Sequence, residues 1–427
     1  MNTMSEHEFW YPLDNAAKIY PAITNDEVTS VFRISVNLKQ RVNIHLLFKA
    51  VRSIESRFPY YKVHLKKGFF WYYFESANFL ASVVADSKIP CRRFKKDGHL
   101  FRILAKNNTL SVEFSHLLTD GSGAFEFLKT LLVHYFKLKG VEIPTDYHYL
   151  KVEEKPNPEE FEDAYNRYFQ EDVPALERRA KAFHLPFALR MKPRFDVLYA
   201  VVSASELKVK AKEKGVSITE YLTAVYFSVL QDIWESFPSG SRQRRHKKMA
   251  IEVPLNLRKL YPSATMRNFT LFVMPEIDMR LGHYSFDELL KTVYHQMRME
   301  TDKKSVNKIL SLNVGGERNV LIRSIPLFVK TFVMRKLYYA MGSTQYSGTL
   351  TNMGVIDFPE QMAKQIDYLL LTPPPANKLL KLGCGIICSN DKLVISFCSS
   401  VKTKEFENRF VQFLVKEGVK VRITTNK

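Results

Sequence analysis

Apolar residues recur at two periods along this chain, and the alternation between them predicts strands followed by helices. VTSVFRISVNL, Val28 to Leu38, alternates Val, Phe, Ile and Val as a half-buried strand does. Behind it, IHLLFKAVRSIESRF places Leu46, Leu47, Ala50, Val51 and Ile54 on one helical face, with Asn43 as its cap and Pro59 as its stop. Val63 to Leu65 and Phe69 to Phe74 read as two hairpin strands around Lys66-Lys67-Gly68. The aromatic run FFWYYF is expected to pack as buried strand, with an acyl-chain surface as its functional alternative. Phe101 to Ala105 and Leu110 to Ser115 form a second hairpin across Lys106-Asn107-Asn108-Thr109. Asp120-Gly121-Ser122-Gly123 then breaks the strand, and AFEFLKTLLVHYFKLK repeats apolar residues at helical spacing.

A compositional shift follows. GVEIPTDYHYLKVEEKPNPEEFEDAYNRYFQEDVP is acidic and punctuated by prolines, and reads as a solvated, partly helical crossover that closes a first unit, 1–180. The second unit, 181–427, opens with a strand through Val201, a cap near Ser203 or Ser205, and a helix closed by Gly215. Ser217 with Glu220, and Ser285 with Glu288, form capping boxes for two further helices. MAIEVPLNLRKL is a strand that ends near Pro254, NFTLFVMPEI is the next, and KLVISFCSS and KEFENRFVQFLVKEG are a closing strand and helix. IPLFVKTFVMRKLYYAM, Ile325 to Met341, is apolar but carries Lys330, Arg335 and Lys336, so it is too short and too charged to span a bilayer. An amphipathic helix packed on the second unit is the simplest account, with contact at a membrane surface or the wall of a lipid channel as the alternative.

Length and charge narrow the function classes. A chain of 427 residues suits two domains, and 46% hydrophobic with 25% charged residues is globular composition. The formal charge of +19 favours polyanionic partners: phosphates of a cofactor, an acidic carrier protein, an anionic membrane. GSRQRRHKK, Gly240 to Lys248, is the densest basic run, yet no nucleic-acid motif accompanies it, so nucleic acid is not expected as a partner. Cys91, Cys384, Cys388 and Cys398 do not make a disulfide framework, and the opening residues, with Glu6, Glu8 and Asp14, lack the basic start and apolar block of an export signal. A cytoplasmic location with reduced thiols is expected.

The stretch that carries chemistry is SHLLTDG, Ser115 to Gly121. His116 stands at the exit of the Leu110 strand and Asp120 in the turn that follows. A histidine fixed there suits a general base that removes a proton from a hydroxyl or amine, while Asp120 suits holding the loop or pairing with an arginine. On spacing alone a structural role for both is the commoner case. No other His, Cys, Asp or Glu cluster has metal-site spacing, so no metal is expected. There is neither a GxSxG elbow nor a P-loop.

SHLLTDG resembles the HHxxxDG signature of the coenzyme A-dependent acyltransferase superfamily, which includes chloramphenicol acetyltransferase and the condensation domains of nonribosomal peptide synthetases. Ser115 replaces the first histidine of that signature, and His116 keeps the second. PLNLRKLYPSATMRNF, Pro254 to Phe269, and SGTLTNMGVIDFP, Ser347 to Pro359, resemble later segments of the family in the same order, and YPLDNAAKIYP, Tyr11 to Pro21, resembles the opening of its alcohol acetyltransferase-like branch. The resemblance implies an α/β fold of two chloramphenicol-acetyltransferase-like lobes, with mixed sheets flanked by helices and a tunnel between them. It implies transfer of an acyl group from acyl-coenzyme A, or from a phosphopantetheine thioester on a carrier protein, to an alcohol or amine, with His116 as the base. No permanently bound cofactor is implied. Arg258 matches the arginine that pairs with the motif aspartate, here Asp120 beside Gly121, and Asn268, Thr349, Thr351 and Asn352 are candidates to line the channel or stabilise an oxyanion. A condensation-type transferase with the basic loop as docking surface, and a non-catalytic protein that binds an apolar ligand in the same fold, remain alternatives.

Overall fold

Strand alternation and helical periodicity build two lobes in the computed structural model, which describes residues 9–87, 89–95, 98–192 and 194–425. Residues 1–8, which hold Glu6 and Glu8, lie outside the described residues. The first lobe contains β1 (Trp10–Pro12), β2 (Val31–Leu38), α1 (Ile44–Ile54), β3 (Val63–Lys67), β4 (Tyr72–Ser76), β5 (Val83–Ala85), β6 (Phe101–Lys106), β7 (Thr109–Ser115) and α2 (Gly121–Leu138). The second contains β8 (Asp196–Ser203), α3 (Ala204–Glu213), α4 (Ile218–Glu235), β9 (Lys248–Asn256), β10 (Thr270–Val273) and β11 (Glu276–Asp278), then α5 (Phe286–Glu300), α6 (Lys303–Arg318) and α7 (Leu327–Leu337). Beyond these come β12 (Gly348–Val355), β13 (Ile366–Thr372), β14 (Leu382–Ser389), β15 (Lys392–Ser399), α8 (Glu405–Lys416) and β16 (Val421–Thr425).

The first lobe's main sheet has the order β13-β2-β7-β6-β5. Phe32, Ile34 and Val36 of β2 and Leu110, Val112 and Phe114 of β7 share one face, because side chains alternate along a strand, and α1 and α2 bury their apolar stripes against it. The opposite face is polar and equally dry: Arg33 donates to Glu113 at 2.8 Å and to both oxygens of Asp86 at 2.9 Å. In the second lobe an eight-stranded sheet runs β10-β9-β12-β14-β15-β8-β16, with β11 also on β9; β12 is parallel to both neighbours and the other pairs are antiparallel. β1, β4 and β3 form a small third sheet.

One strand ties the lobes together. β13 comes from the second half of the chain, yet it pairs antiparallel with β2 and completes the first sheet, while its Tyr368 and Leu370 pack on Val197, Tyr199 and Val201 of β8. The division of the chain in sequence therefore differs from its division in sheets.

Several local expectations change. The glycines after Asp120 do not precede the helix; they form its first turn, because Asp120 accepts from the N–H groups of Ser122 and Gly123. The acidic crossover is not wholly solvated: Glu160 is buried in a bidentate pair with Arg57 at 2.7 Å, and Tyr165 enters an apolar cluster. FFWYYF is only partly strand, since Phe69 and Phe70 fall in the turn between β3 and β4 and are exposed. The helix within Ile325 to Met341 packs on first-lobe residues: α7 sets Leu327, Thr331 and Met334 against Leu13, Ala22 and Trp71, buries Lys330 beside them and turns its phenylalanines outward. All four cysteines are buried and free.

Candidate active site

His116 continues the alternation of β7 onto the same face as Phe114, which directs its ring toward Phe32 on the neighbouring strand. The imidazole packs against two aromatic rings, with Phe32 at 4.5 Å between centroids and Tyr20 nearly parallel at 5.6 Å. Burial lowers its pKa to about 4, against the opposing influence of the Asp120 charge and of hydrogen bonds with Asn268 and Thr119. The ring is thus held neutral over the physiological range. Ser115, where the family signature has its first histidine, is buried and accepts a hydrogen bond from the Leu117 N–H at 3.2 Å, closing the turn that His116 begins.

Two carboxylates hold that turn, and both are buried. Asp120 caps α2 with Oδ1, while Oδ2 accepts from the Arg258 guanidinium at 2.7 Å, the Phe269 N–H at 2.8 Å and the Thr270 hydroxyl at 3.0 Å. Burial alone would push this carboxyl up, but Arg258 and the backbone N–H donors outweigh it and hold it below the usual carboxylate range. The same guanidinium donates to the carbonyls of Thr265 and Arg267, so Arg258 fixes the segment before β10 as well as Asp120. Gly123 lets α2 approach that segment: a Cβ there would stand 2.2 Å from the Thr119 hydroxyl and 2.5 Å from the Met266 carbonyl oxygen. At Gly121 a Cβ would meet only the Met353 side chain, at 3.5 Å.

The second carboxylate is Asp14. It caps the short helical turn at Ala17, accepting at 2.8 Å, and also accepts from the Asn268 side chain at 3.0 Å, whose amide donates in turn to the carbonyl oxygen of His116 at 2.9 Å. Arg267 lies 3.6 Å away but gives its terminal nitrogens to the carbonyls of Phe161 and Pro12. Burial raises the Asp14 pKa to about 6, more than Arg267, Asn268 and Ala17 bring it down.

The remaining candidates divide by what their donors already do. The Asn268 amide is committed to Asp14 and His116, whereas the Asn352 amide gives one N–H to the Thr219 hydroxyl at 2.9 Å. Thr349 and Thr351 share the β12 face that continues to Met353, opposite Leu350 in the second-lobe core; Met353 packs on the first-lobe core, so this face looks into the junction of the lobes. Among the described residues neither threonine hydroxyl has a hydrogen-bond partner. Glu252, opposite Thr349 in the β9–β12 register, has its pKa raised to about 7 by burial, a hydrogen bond with Tyr346 lowering it less. Among the described residues no group of three or more His, Cys, Asp or Glu is placed to share a metal ion.

Sequence patterns alone assign no role to Tyr20, although it lies within YPLDNAAKIYP, or to Glu252, although a lone acid in the apolar strand MAIEVPL is a usable signal; Asp14, whose sequence suits a cap or the orienting of a neighbour, does both.

No protein-family model and no curated protein matches this chain. Solved structures do. The epimerization domain from the third module of tyrocidine synthetase B superposes with a TM-score of 0.63 at 11% identity, covering 96% of each chain. Polyketide synthase associated protein 5 from Mycobacterium tuberculosis gives 0.60 at 13% identity, over 95% of this chain and 96% of that one. A trichothecene 15-O-acetyltransferase from Fusarium sporotrichioides gives 0.60 at 10% identity, over 97% and 95%. Over nearly its whole length the chain therefore has the two-lobed α/β fold of these acetyltransferase and peptide-synthetase structures.

Proposed function

We propose that this protein is an acyltransferase that moves an acyl group from a thioester to a hydroxyl or amine acceptor, with His116 as general base. The observation that carries the reading is the state of His116: a neutral imidazole at a strand exit, its backbone and the next helix held by two buried carboxylates. The fold supports it, since a trichothecene 15-O-acetyltransferase is among the structures that share it. His116 takes the acceptor's proton as oxygen or nitrogen bonds to the thioester carbonyl carbon. The tetrahedral intermediate then breaks its C–S bond, and the imidazolium returns that proton to the departing thiolate. Asp120 and Arg258 act by positioning. Thr349 and Thr351 are the better oxyanion donors, because both N–H groups of the Asn268 amide are engaged and Asn352 donates to Thr219 from the opposite, Leu350 face of β12.

The donor is acyl-coenzyme A or a phosphopantetheine thioester. Epimerization and condensation domains among the similar structures favour keeping a carrier-bound donor as a second reading, with Arg242, Arg245 and Lys247 of the exposed basic loop as its docking surface. The test is thiol release from acetyl- and longer acyl-coenzyme A, and from an acylated carrier protein, with a panel of alcohols and amines. Wild type should turn over, His116→Ala should lose about 100- to 10,000-fold, and the acid limb of kcat/KM should fall nearer pH 4 than 6.5. Thiol release from no donor, or equal rates for wild type and variant, overturns the reading in favour of a protein that only binds an apolar ligand.

A further inference from the structure

The segment 318–339 has its amphipathicity reversed. Lys330 of α7 is buried, donates to the carbonyls of Phe70 and Arg323 at 3.2 and 3.0 Å, and lies 3.7 Å from the centre of the Trp71 ring. The apolar side chains point the other way: Phe328 is 69% exposed, Phe332 63% and Leu337 50%. In the short helix before it, Val320–Ser324, Val320 and Leu321 are 76% and 78% exposed. The β3–β4 turn extends the patch, because the Leu327 N–H donates to the Phe69 carbonyl at 2.9 Å and the Phe69 ring stands in solvent. Scattered exposed apolar residues are ordinary on a protein surface, but a contiguous group of aromatic and aliphatic side chains is not.

Charge identifies what covers it. Arg323, Arg335, Lys336 and, on the turn, Lys67 are exposed on the same elements as these side chains, and 318–339 holds no Asp or Glu. An apolar patch whose own segment carries arginine and lysine but no acid is complementary to a surface that is negative outside and hydrocarbon beneath. No helix among the described residues is long and apolar enough to cross a membrane, so the fit is to lying on one. We infer that the α7 face and the β3–β4 turn seat this protein on an anionic lipid bilayer. Beneath α7, Leu327, Thr331 and Met334 meet Leu13, Ala22 and Trp71 around a small cavity, and Arg335 donates to the Ala22 carbonyl at 2.6 Å. The docking face thus rests on the segment that carries Asp14 and Tyr20, and brings the lipid surface to the His116 side of the molecule.

Flotation of the full chain with phosphatidylcholine vesicles, with and without about 30 mol% phosphatidylglycerol, tests it. Binding is expected to the anionic vesicles and to weaken with salt. Phe328→Ser with Phe332→Ser should lower partitioning about tenfold or more without shifting the melting temperature, as both side chains are exposed; Arg323→Gln with Lys336→Gln should lower it several-fold on anionic vesicles. No binding to anionic vesicles, or equal binding by the phenylalanine variant, overturns the proposal. So does a wild-type dimer in solution that the phenylalanine variant converts to monomer, which would assign the face to a second copy of the chain.

Discussion

Asp120 and Asp14 are both buried, both tie down the turn that carries His116, and each has an arginine beside it, yet they titrate in opposite directions. The difference lies in donors. Arg258 reaches Asp120 at 2.7 Å, and a hydrogen bond from Thr270 and backbone N–H groups complete the shell, so the ionised form is favoured despite the loss of water. Arg267 stays 3.6 Å from Asp14 with its terminal nitrogens on two carbonyls, which leaves the burial penalty in control. A nearby cation is not a partner unless its N–H groups are free to point at the carboxylate.

Four substitutions break or sharpen this contrast. Asp120→Ala should have the largest effect, about 3–5 kcal/mol of stability, because it strands Arg258 and the Phe269 N–H at once; denaturant melts read it, and a loss under 1 kcal/mol would mean that the clasp is not what holds the loop.

Asp14→Asn tests the opposite sign. An unfolded Asp titrates near pH 4 and the folded one at about 6. Between those values the folded protein keeps a proton that the unfolded chain has released, so this group makes stability fall as pH rises through that window. The span is about 3 kcal/mol, and the variant should show a flatter stability profile from about pH 4 to 6. Asp120 contributes in the reverse sense: its stabilisation is present above its unfolded value and is lost as pH falls through its lowered folded value. If wild type and Asp14→Asn have parallel profiles, the contrast between the two acids fails.

Arg258→Lys keeps the charge but cannot span Asp120, Thr265 and Arg267 together. A loss of about 1–3 kcal/mol is expected by thermal melt, smaller than for Asp120→Ala. Asn268→Ala should cost least, about 1 kcal/mol, by removing the tie between the His116 carbonyl and Asp14. On the proposed reading its effect on acyl transfer should appear as lower kcat with little change in KM, since it loosens the loop that carries His116.

The chain's own pattern determined much of this. Asn43, Ser203 and the Ser217–Glu220 and Ser285–Glu288 boxes act as caps where the sequence puts them, because a cap is a contact among residues a turn apart. The alternation of TLSVEFS likewise fixed which sheet face His116 would join, and SHLLTDG marked the loop. What only the tertiary structure decided depends on residues far apart in sequence. β13 crosses to the first sheet because its register with β2 buries both its faces, one against each lobe. Asp14 meets Asn268 across the whole first lobe, and the difference between its titration and that of Asp120 comes from which N–H groups arrive, which no local pattern records. The orientation of α7 has the same origin: Phe70, Trp71 and Arg323 offer Lys330 two carbonyls and a ring face, and the phenylalanines of the helix turn outward. Periodicity reports that a helix is two-sided, and only its neighbours decide which side faces in.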